Sequence, residues 1–578
     1  MRPQAVSSNA EDIAAATNAR ILGLVRDGRH FKVEAGAGSG KTTSLIATLR
    51  AIQGDPKIDL GSGRQIACIT FTNVAKAEIL DRISSDPQFF VSTIHEFCWL
   101  LIQPFQQDLM RLVQEEDWAA ELEKSEIAEL STQKIAYGRG YRRVTESTVY
   151  LKHDDVPELT AKLLQSKKFA AVLKSRFPIV FVDEYQDTNK ALIESVLVNC
   201  IAESRGPLFG FFGDEWQQIH PQSVGGIDSP LIETVPKGTN FRSETTVVRA
   251  LNKIRPALPQ AVPPNTKDGT TLVFHTNLWN DGRLPGGQTL NDLRADLVDL
   301  ALDKVRTHLK KEGWNLDPVA TKTLILTHKA IAARQGYTTI DSIFKYNDEY
   351  TKLENPVLKY LVQGVEVARE SYIEGRFGDT YEALGTHRPP IRSMRDKQMA
   401  REALDKLMAI STSGSIKTVL AELSKDPFSL PAPIADAVES LSAEATDSKR
   451  MEEMKALMEV SYSEVVALKA FLDHHSPYET EHGVKGAQFE SVIAIFGGGW
   501  NHYNWPSFLN YSYDTEGIPA PKLKGFIRAR NLFYVCVSRP RKNLAILLTQ
   551  PIDPNGISVL QQWFGEDNIK ALVAPDGA

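Results

Sequence analysis

Residues 35–42 read Ala-Gly-Ala-Gly-Ser-Gly-Lys-Thr, an order of residue types that suits the cradling of phosphate. Gly36, Gly38 and Gly40 let the backbone curl until its N–H groups point at phosphate oxygens. Lys41 is then placed to reach β- and γ-phosphates, and the Thr42 hydroxyl suits Mg2+. The candidate nucleotide loop is therefore Ala35, Gly36, Ala37, Gly38, Ser39, Gly40, Lys41, Thr42 and Thr43. The strict pattern begins with glycine and is missed by one position, where Ala35 stands. A second part of the same chemistry follows at 179–184, where four apolar residues end in Asp183 and Glu184. Asp183 suits the Mg2+ shell, and Glu184 suits the base that orients and deprotonates an attacking water. Together they point to hydrolysis of a nucleoside triphosphate, with ATP and Mg2+ expected.

Such groups need strand ends to hold them. Apolar runs HFKVEA (30–35), QIACITFT (65–72), FFVST (89–93), IVFVDE (179–184) and PLFGFFGD (207–214) alternate with helix-like stretches such as TTSLIATLRAIQ. TLVFHT (271–276), TKTLILTH (321–328), SVIAIFGG (491–498) and NLAILLT (543–549) repeat the pattern in a second region. Alternation of this kind predicts parallel sheets covered by helices, an α/β fold class. Two charged segments without strong strand signals, 101–176 and 340–470, read as helical insertions, the second broken at PFSLPAPI. The expected organisation has a first core over 1–100 and 177–238 with insertion 101–176. A second core over 239–339 and 471–578 carries insertion 340–470.

The 578 residues carry 42% hydrophobic and 24% charged side chains and a net charge of −6, which is globular composition. A surface coated in positive charge is excluded, but a local nucleic-acid groove is not. No run of about 18 apolar residues appears, and the first twenty residues have no apolar stretch of signal type, so no membrane and a cytoplasmic location are expected. Cys68, Cys98, Cys200 and Cys536 lie far apart with no CxxC pair, which predicts buried free thiols rather than disulfides or zinc.

Eight segments in order resemble the motifs of the UvrD/Rep/PcrA branch of the superfamily 1 helicases. They are AGAGSGKT (35–42), ITFTNVAKAEILDRI (69–83), VSTIHEFCWLL (91–101), VDEYQDTN (182–189), FGDEWQQIH (212–220), NFRS (240–243), EHGVKGAQFE (481–490) and RNLFYVCVSRPRKNL (530–544). The resemblance implies two RecA-like P-loop domains with parallel sheets, each interrupted by a helical insertion, with ATP between them. It also implies movement along single-stranded DNA in the 3′→5′ direction and unwinding of tailed duplex DNA.

Residue roles follow from the same resemblance. Gln217 would sense the γ-phosphate, while Arg242 and Arg539 would come from the second core to neutralise charge on the transferred phosphoryl group. Gln488 stands where the family has an acid near the nucleotide. Phe71, Thr72, Asn73, Thr93, His95, His482 and Lys485 match positions beside DNA; an aromatic such as Phe71 offers a stacking platform for any base. Departures are visible too. The upstream glutamine that reads adenine has Asn18 as its nearest counterpart, or none, and the coupling motif carries His220 and Gln222 in place of aromatics, with Trp216 nearby. Compact relatives of this type stand beside a separate nuclease in antiviral or repair systems, so a nuclease subunit is an expected partner. A DNA-sensing regulatory ATPase that controls such a nuclease is the alternative to a helicase. A metabolic P-loop kinase would have no use for the split arginines.

Overall fold

The computed structural model describes residues 9–574, apart from 59, 141, 220–221, 288–289, 386–391, 443–448, 481–482, 485 and 499–501. The chain forms two compact units. One comprises residues 1–271, 507–543 and 554–568, and the other 272–506, 544–553 and 569–578.

Nine strands belong to the first unit: β1 (Phe31–Ala35), β2 (Ile66–Thr70), β3 (Phe89–Thr93), β4 (Lys134–Gly140), β5 (Arg143–Val144), β6 (Thr148–Lys152), β7 (Ile179–Asp183), β8 (Leu208–Gly213) and β9 (Glu233–Lys237). Six of them make a parallel sheet in the order β3-β2-β7-β8-β1-β9. Alternate residues of its strands feed two separate cores. Ile66, Cys68, Ile179 and Phe181 join one cluster. Ala67, Ile69, Val180 and Val182 join the other. A sheet buried on both faces demands continuous apolar strands, which is why these runs are legible without alternation.

Segment 101–176 departs from the all-helical expectation. It contains helices, but β4, β5 and β6 form a three-stranded sheet in the order β4-β6-β5, with β4–β6 parallel and β5–β6 antiparallel. Its inward residues Ile135, Val144, Val149 and Leu151 enter the second cluster, while its outward ones are polar, so the short strands carry too little apolar signal to be read. Arg142 fastens the sheet to neighbouring helices. Its guanidinium donates to both Asp155 oxygens, to Glu116 and to the Asp117 carbonyl, and lies 4.4 Å over the Trp118 ring.

In the other unit, β10 (Thr270–His275), β11 (Thr321–Ile325), β12 (Tyr478–Thr480), β13 (Phe489–Phe496), β14 (Pro540–Leu548) and β15 (Ile569–Ala571) are arranged β12-β11-β13-β14-β10-β15. The pairs β10–β15, β11–β12 and β11–β13 are parallel. Segment 340–470 is helical throughout its described residues, and its apolar faces share one core with the sheet.

The boundary between units runs elsewhere than the expected domain limits. Residues 239–271, 507–543 and 554–568, read from the sequence as second core, cluster with the first sheet. The cause is helix packing. Helix Ala520–Val537 lies against helix Thr245–Ile254 and the short turn Glu215–Gln217, and helix Pro554–Phe564 also packs on Thr245–Ile254.

Candidate active site

The carboxyl ends of β1, β7 and β8 converge within the first unit. Chain leaving β1 turns through Gly38 and Gly40, with φ of 73° and 75°, before helix Lys41–Gln53 begins. That left-handed backbone is available to glycine at little cost. The crowding is as telling: a Cβ on Gly38 would stand 2.7 Å from Asn240 Oδ1, and one on Gly36 2.5 Å from Gln260 Nε2. Asn240 and Gln260 donate to the Ala37 carbonyl, at 3.1 and 2.9 Å, and Thr239 donates to that of Ser39. The Ala37 N–H donates to the Tyr534 hydroxyl at 3.3 Å. Distant chain therefore shapes the outer side of the loop.

Asp183 ends β7 and Glu184 follows in a left-handed conformation, φ 50°. Glu184 Oε2 lies 3.7 Å from Lys41 Nζ and accepts from Gln186 Nε2 at 2.5 Å. Burial, then the neighbouring Glu184, pushes the Asp183 carboxyl up to about 7, with Lys41 opposing. Its Oδ1 is enclosed without a hydrogen-bond partner among the described residues. A buried carboxylate oxygen without a donor, beside a second carboxylate and a lysine, fits a divalent cation. No group of three or more His, Cys, Asp or Glu residues forms a metal cluster among the described residues.

Gln217 sits in the turn after β8, 4% exposed. Its amide nitrogen donates to Asp214 Oδ2 at 2.5 Å, and its oxygen accepts from Arg539 Nη2 at 3.2 Å. Arg539 is 1% exposed and also donates to Ser538 Oγ and the Val535 carbonyl. Arg242 donates to the Ser538 carbonyl at 3.1 Å. Burial, then Arg539, lowers the Arg242 pKa to about 9, so it stays cationic at neutral pH. Burial lowers that of Arg539 as well. Both arginines, expected from a second core, thus lie in the unit that holds the loop. Asn531 makes this possible by donating to the Glu215 and Gln218 carbonyls, which pins the arginine-bearing helix to the turn.

Several residues here escaped sequence reasoning. Arg255 donates to Asp214 and Glu34, both at 2.6 Å, and the Tyr185 hydroxyl donates to Glu34 at 2.8 Å. Trp216 does not offer a free face for stacking. Arg530 lies 4.0 Å and Arg255 5.1 Å from its ring centre, and Tyr534 meets it edge-on at 5.6 Å. The one legible hint was Glu34, a carboxylate directly before the phosphate loop.

The candidate DNA positions form a looser set at the ends of β2 and β3. Phe71 is 42% exposed, and Thr72 and Asn73 are exposed beside it. The Thr72 and Thr93 hydroxyls cap the next helices, accepting from Ala75 and Glu96 N–H groups. His95 packs edge-on against His153, 5.3 Å between ring centres, and burial lowers its pKa. Gln488 belongs to the other unit, where it is exposed just before β13. His482, Lys485 and His220 lie outside the described residues. Asn18 is half-buried within helix Ala10–Arg26. All four cysteines are buried and free, and no described helix is long and apolar enough to cross a membrane.

A family model, the UvrD/REP helicase N-terminal domain, matches residues 21–136 and 105–221. The chain is similar to Gabija protein GajB of Bacillus cereus strain HuB5-5, 23% identical across 97% of this chain and 98% of that protein. It is 25% identical to ATP-dependent DNA helicase UvrD1 of Mycobacterium leprae over 40% of this chain and 38% of the relative. ATP-dependent DNA helicase PcrA of Staphylococcus aureus is 25% identical over 38% of this chain and 37% of its own length. The likeness to the two helicases thus spans less than two-fifths of their length.

Proposed function

We propose that the chain is a UvrD-like helicase, which hydrolyses ATP to move along single-stranded DNA in the 3′→5′ direction and to separate tailed duplexes. The family match over residues 21–221 and the likeness to GajB and UvrD1 support this reading. The observation that carries this is the meeting, in one compact unit, of Lys41, Asp183 and Glu184 with Gln217 and Arg539, which are 322 positions apart.

Each residue then has a task. The backbone of residues 36–40 and Lys41 hold the phosphates. Thr42 and Asp183 would hold Mg2+, which when bound neutralises charge on the phosphate oxygens. Glu184, beside Lys41, orients the attacking water and takes its proton. Gln217 touches both Asp214 and Arg539, so a change at the phosphate end reaches the arginine through one amide. Arg539 supplies positive charge from a buried position and Arg242 from a half-buried one, where it is weakly screened, as transition-state stabilisation requires. Phe71, Thr72, Asn73, Thr93 and His95, on neighbouring strand ends, would face the DNA. Full-length likeness to a Gabija protein supports an antiviral-defence setting in which the chain works with a separate nuclease.

The test is strand displacement on duplexes with a 3′ or a 5′ tail, with DNA-stimulated ATP turnover followed in parallel. Unwinding of the 3′-tailed substrate that requires ATP supports the proposal. Stimulated ATP turnover without displacement would leave a DNA-sensing ATPase that governs a nuclease.

A further inference from the structure

Three strand ends of the first sheet meet at one guanidinium. Arg255, just past helix Thr245–Ile254, has a side chain 5% exposed, with Nη2 on Glu34 at the end of β1 and Nη1 on Asp214 after β8. Glu34 accepts from Tyr185, the residue next to Glu184, so β7 is tied in as well. The guanidinium also lies 5.1 Å from the centre of the Trp216 ring and 5.8 Å from that of Tyr534. Asp214 Oδ1 accepts from Arg255 and from the Trp216 N–H, and Oδ2 from the Gln217 amide nitrogen. An amide set between a carboxylate and a guanidinium has a single sensible orientation, nitrogen toward the acid and oxygen toward the arginine. That is the orientation in which Gln217 meets Arg539.

We infer that Arg255 is a positioning residue for ATP hydrolysis: by clamping Glu34 and Asp214 together it fixes the carboxylate that orients Gln217 toward Arg539. It rests on the ATPase reading above. Arginine is suited to the role because its planar fork serves two carboxylates at once. Lysine keeps the charge but is a single compact head. With the clamp loosened, Asp214 can rotate, the Gln217 amide loses its imposed orientation, and Arg539 loses its bond to Gln217, while the phosphate loop and Lys41 are left in place.

Arg255→Lys tests this, alone and combined with Gln217→Ala, with ATP affinity, DNA-stimulated turnover and thermal melting measured on the full chain. Expected for R255K are ATP affinity within about threefold of wild type and kcat lower by roughly tenfold or more. In the Q217A background R255K should cause no further loss, because Arg255 acts through that amide. Turnover within about twofold of wild type in R255K, or losses that multiply in the double variant, would overturn the inference. So would weakened ATP binding with a lowered melting temperature, the mark of a purely structural residue. A wild-type chain with no ATP turnover would bring down the functional reading itself, and this inference with it.

Discussion

Two groups of strand ends on the same parallel sheet are built in opposite ways. At β1, β7 and β8 the functional side chains are buried and bonded to residues hundreds of positions away: Arg539 to Gln217, Arg255 to Glu34, Tyr534 to Ala37. At β2 and β3 the candidate track residues are exposed or half-buried, and their hydroxyls are engaged only with the next turn of chain, as helix caps. Chemistry on a phosphate needs charges fixed before reaction, which only long-range partners can supply. A track that must be gripped and released needs platforms and caps, which local sequence suffices to build. Substitutions at the first group should therefore be strongly coupled, and those at the second nearly independent.

The largest effects test the buried group. Lys41→Ala should lower ATP turnover by roughly 10³ or more, and a variant keeping a tenth of wild-type activity would remove Lys41 from the site. Glu184→Gln should retain ATP binding and lose about 10²–10⁴ in turnover; lost nucleotide affinity would make Glu184 structural. Next comes coupling itself. Arg539→Ala should reduce DNA-stimulated hydrolysis by roughly 10³ with ATP affinity within a few-fold, and adding Gln217→Ala should cost little more. Multiplying losses would show the two side chains to be independent, and the contrast between the regions would fail.

Smaller effects sharpen the other side. Phe71→Ala should weaken single-stranded DNA binding by about 1–3 kcal/mol, and its effect should add to that of His95→Ala, measured by fluorescence titration. Strong coupling between them would mean the track is as interlocked as the phosphate site. The last concerns stability. Lys237 on β9 is 2% exposed, its ammonium bonded to Ser44, and burial lowers its pKa to about 8. Its folded-state pKa lies below the unfolded one, so folding penalises the charged form. The penalty is full below pH 8 and fades as pH rises toward 10.5. Lys237→Met should therefore raise the unfolding free energy by about 1–3 kcal/mol at pH 7 and by less at pH 9.5. An equal gain at both values would exclude charge burial as the cause.

What the sequence revealed follows the same division. Lys41, Asp183 and Glu184 were legible because a phosphate loop and a strand-end acid pair are contiguous patterns. The central strands were legible because burial on both faces leaves them uniformly apolar. Edge strand β9, Glu-Thr-Val-Pro-Lys, carries a proline and polar outward residues, and it went unread. So did the sheet of β4 to β6, whose glycines and arginines resemble loop. Arg255 lies 221 positions from Glu34 and 41 from Asp214, spacings that leave no periodic trace. The compact units are drawn differently from the expected domains for a related reason: strand patterns mark sheets, but the helix that leads into Arg539 packs on the turn after β8 through contacts no periodicity announces.

The Arg142 fastening has a consequence for how this protein opens. Besides apolar packing, the small sheet is held by a few polar ties, all within segment 101–176: the Arg142 guanidinium spread over Asp155, Glu116 and a carbonyl, the Gln106 amide on Ile135, and the Ser125 hydroxyl on Val144. The small sheet has only three strands, whereas the strands of the large sheet are buried on both faces. In hydrogen exchange the amides of 134–152 should therefore trade with solvent as a cooperative group of their own, well before those of β2 and β7. Because the small sheet shares an apolar cluster with Val180, Val182 and Tyr185, opening of that group would be felt at β7 through packing rather than through the hydrogen bonds of the phosphate site.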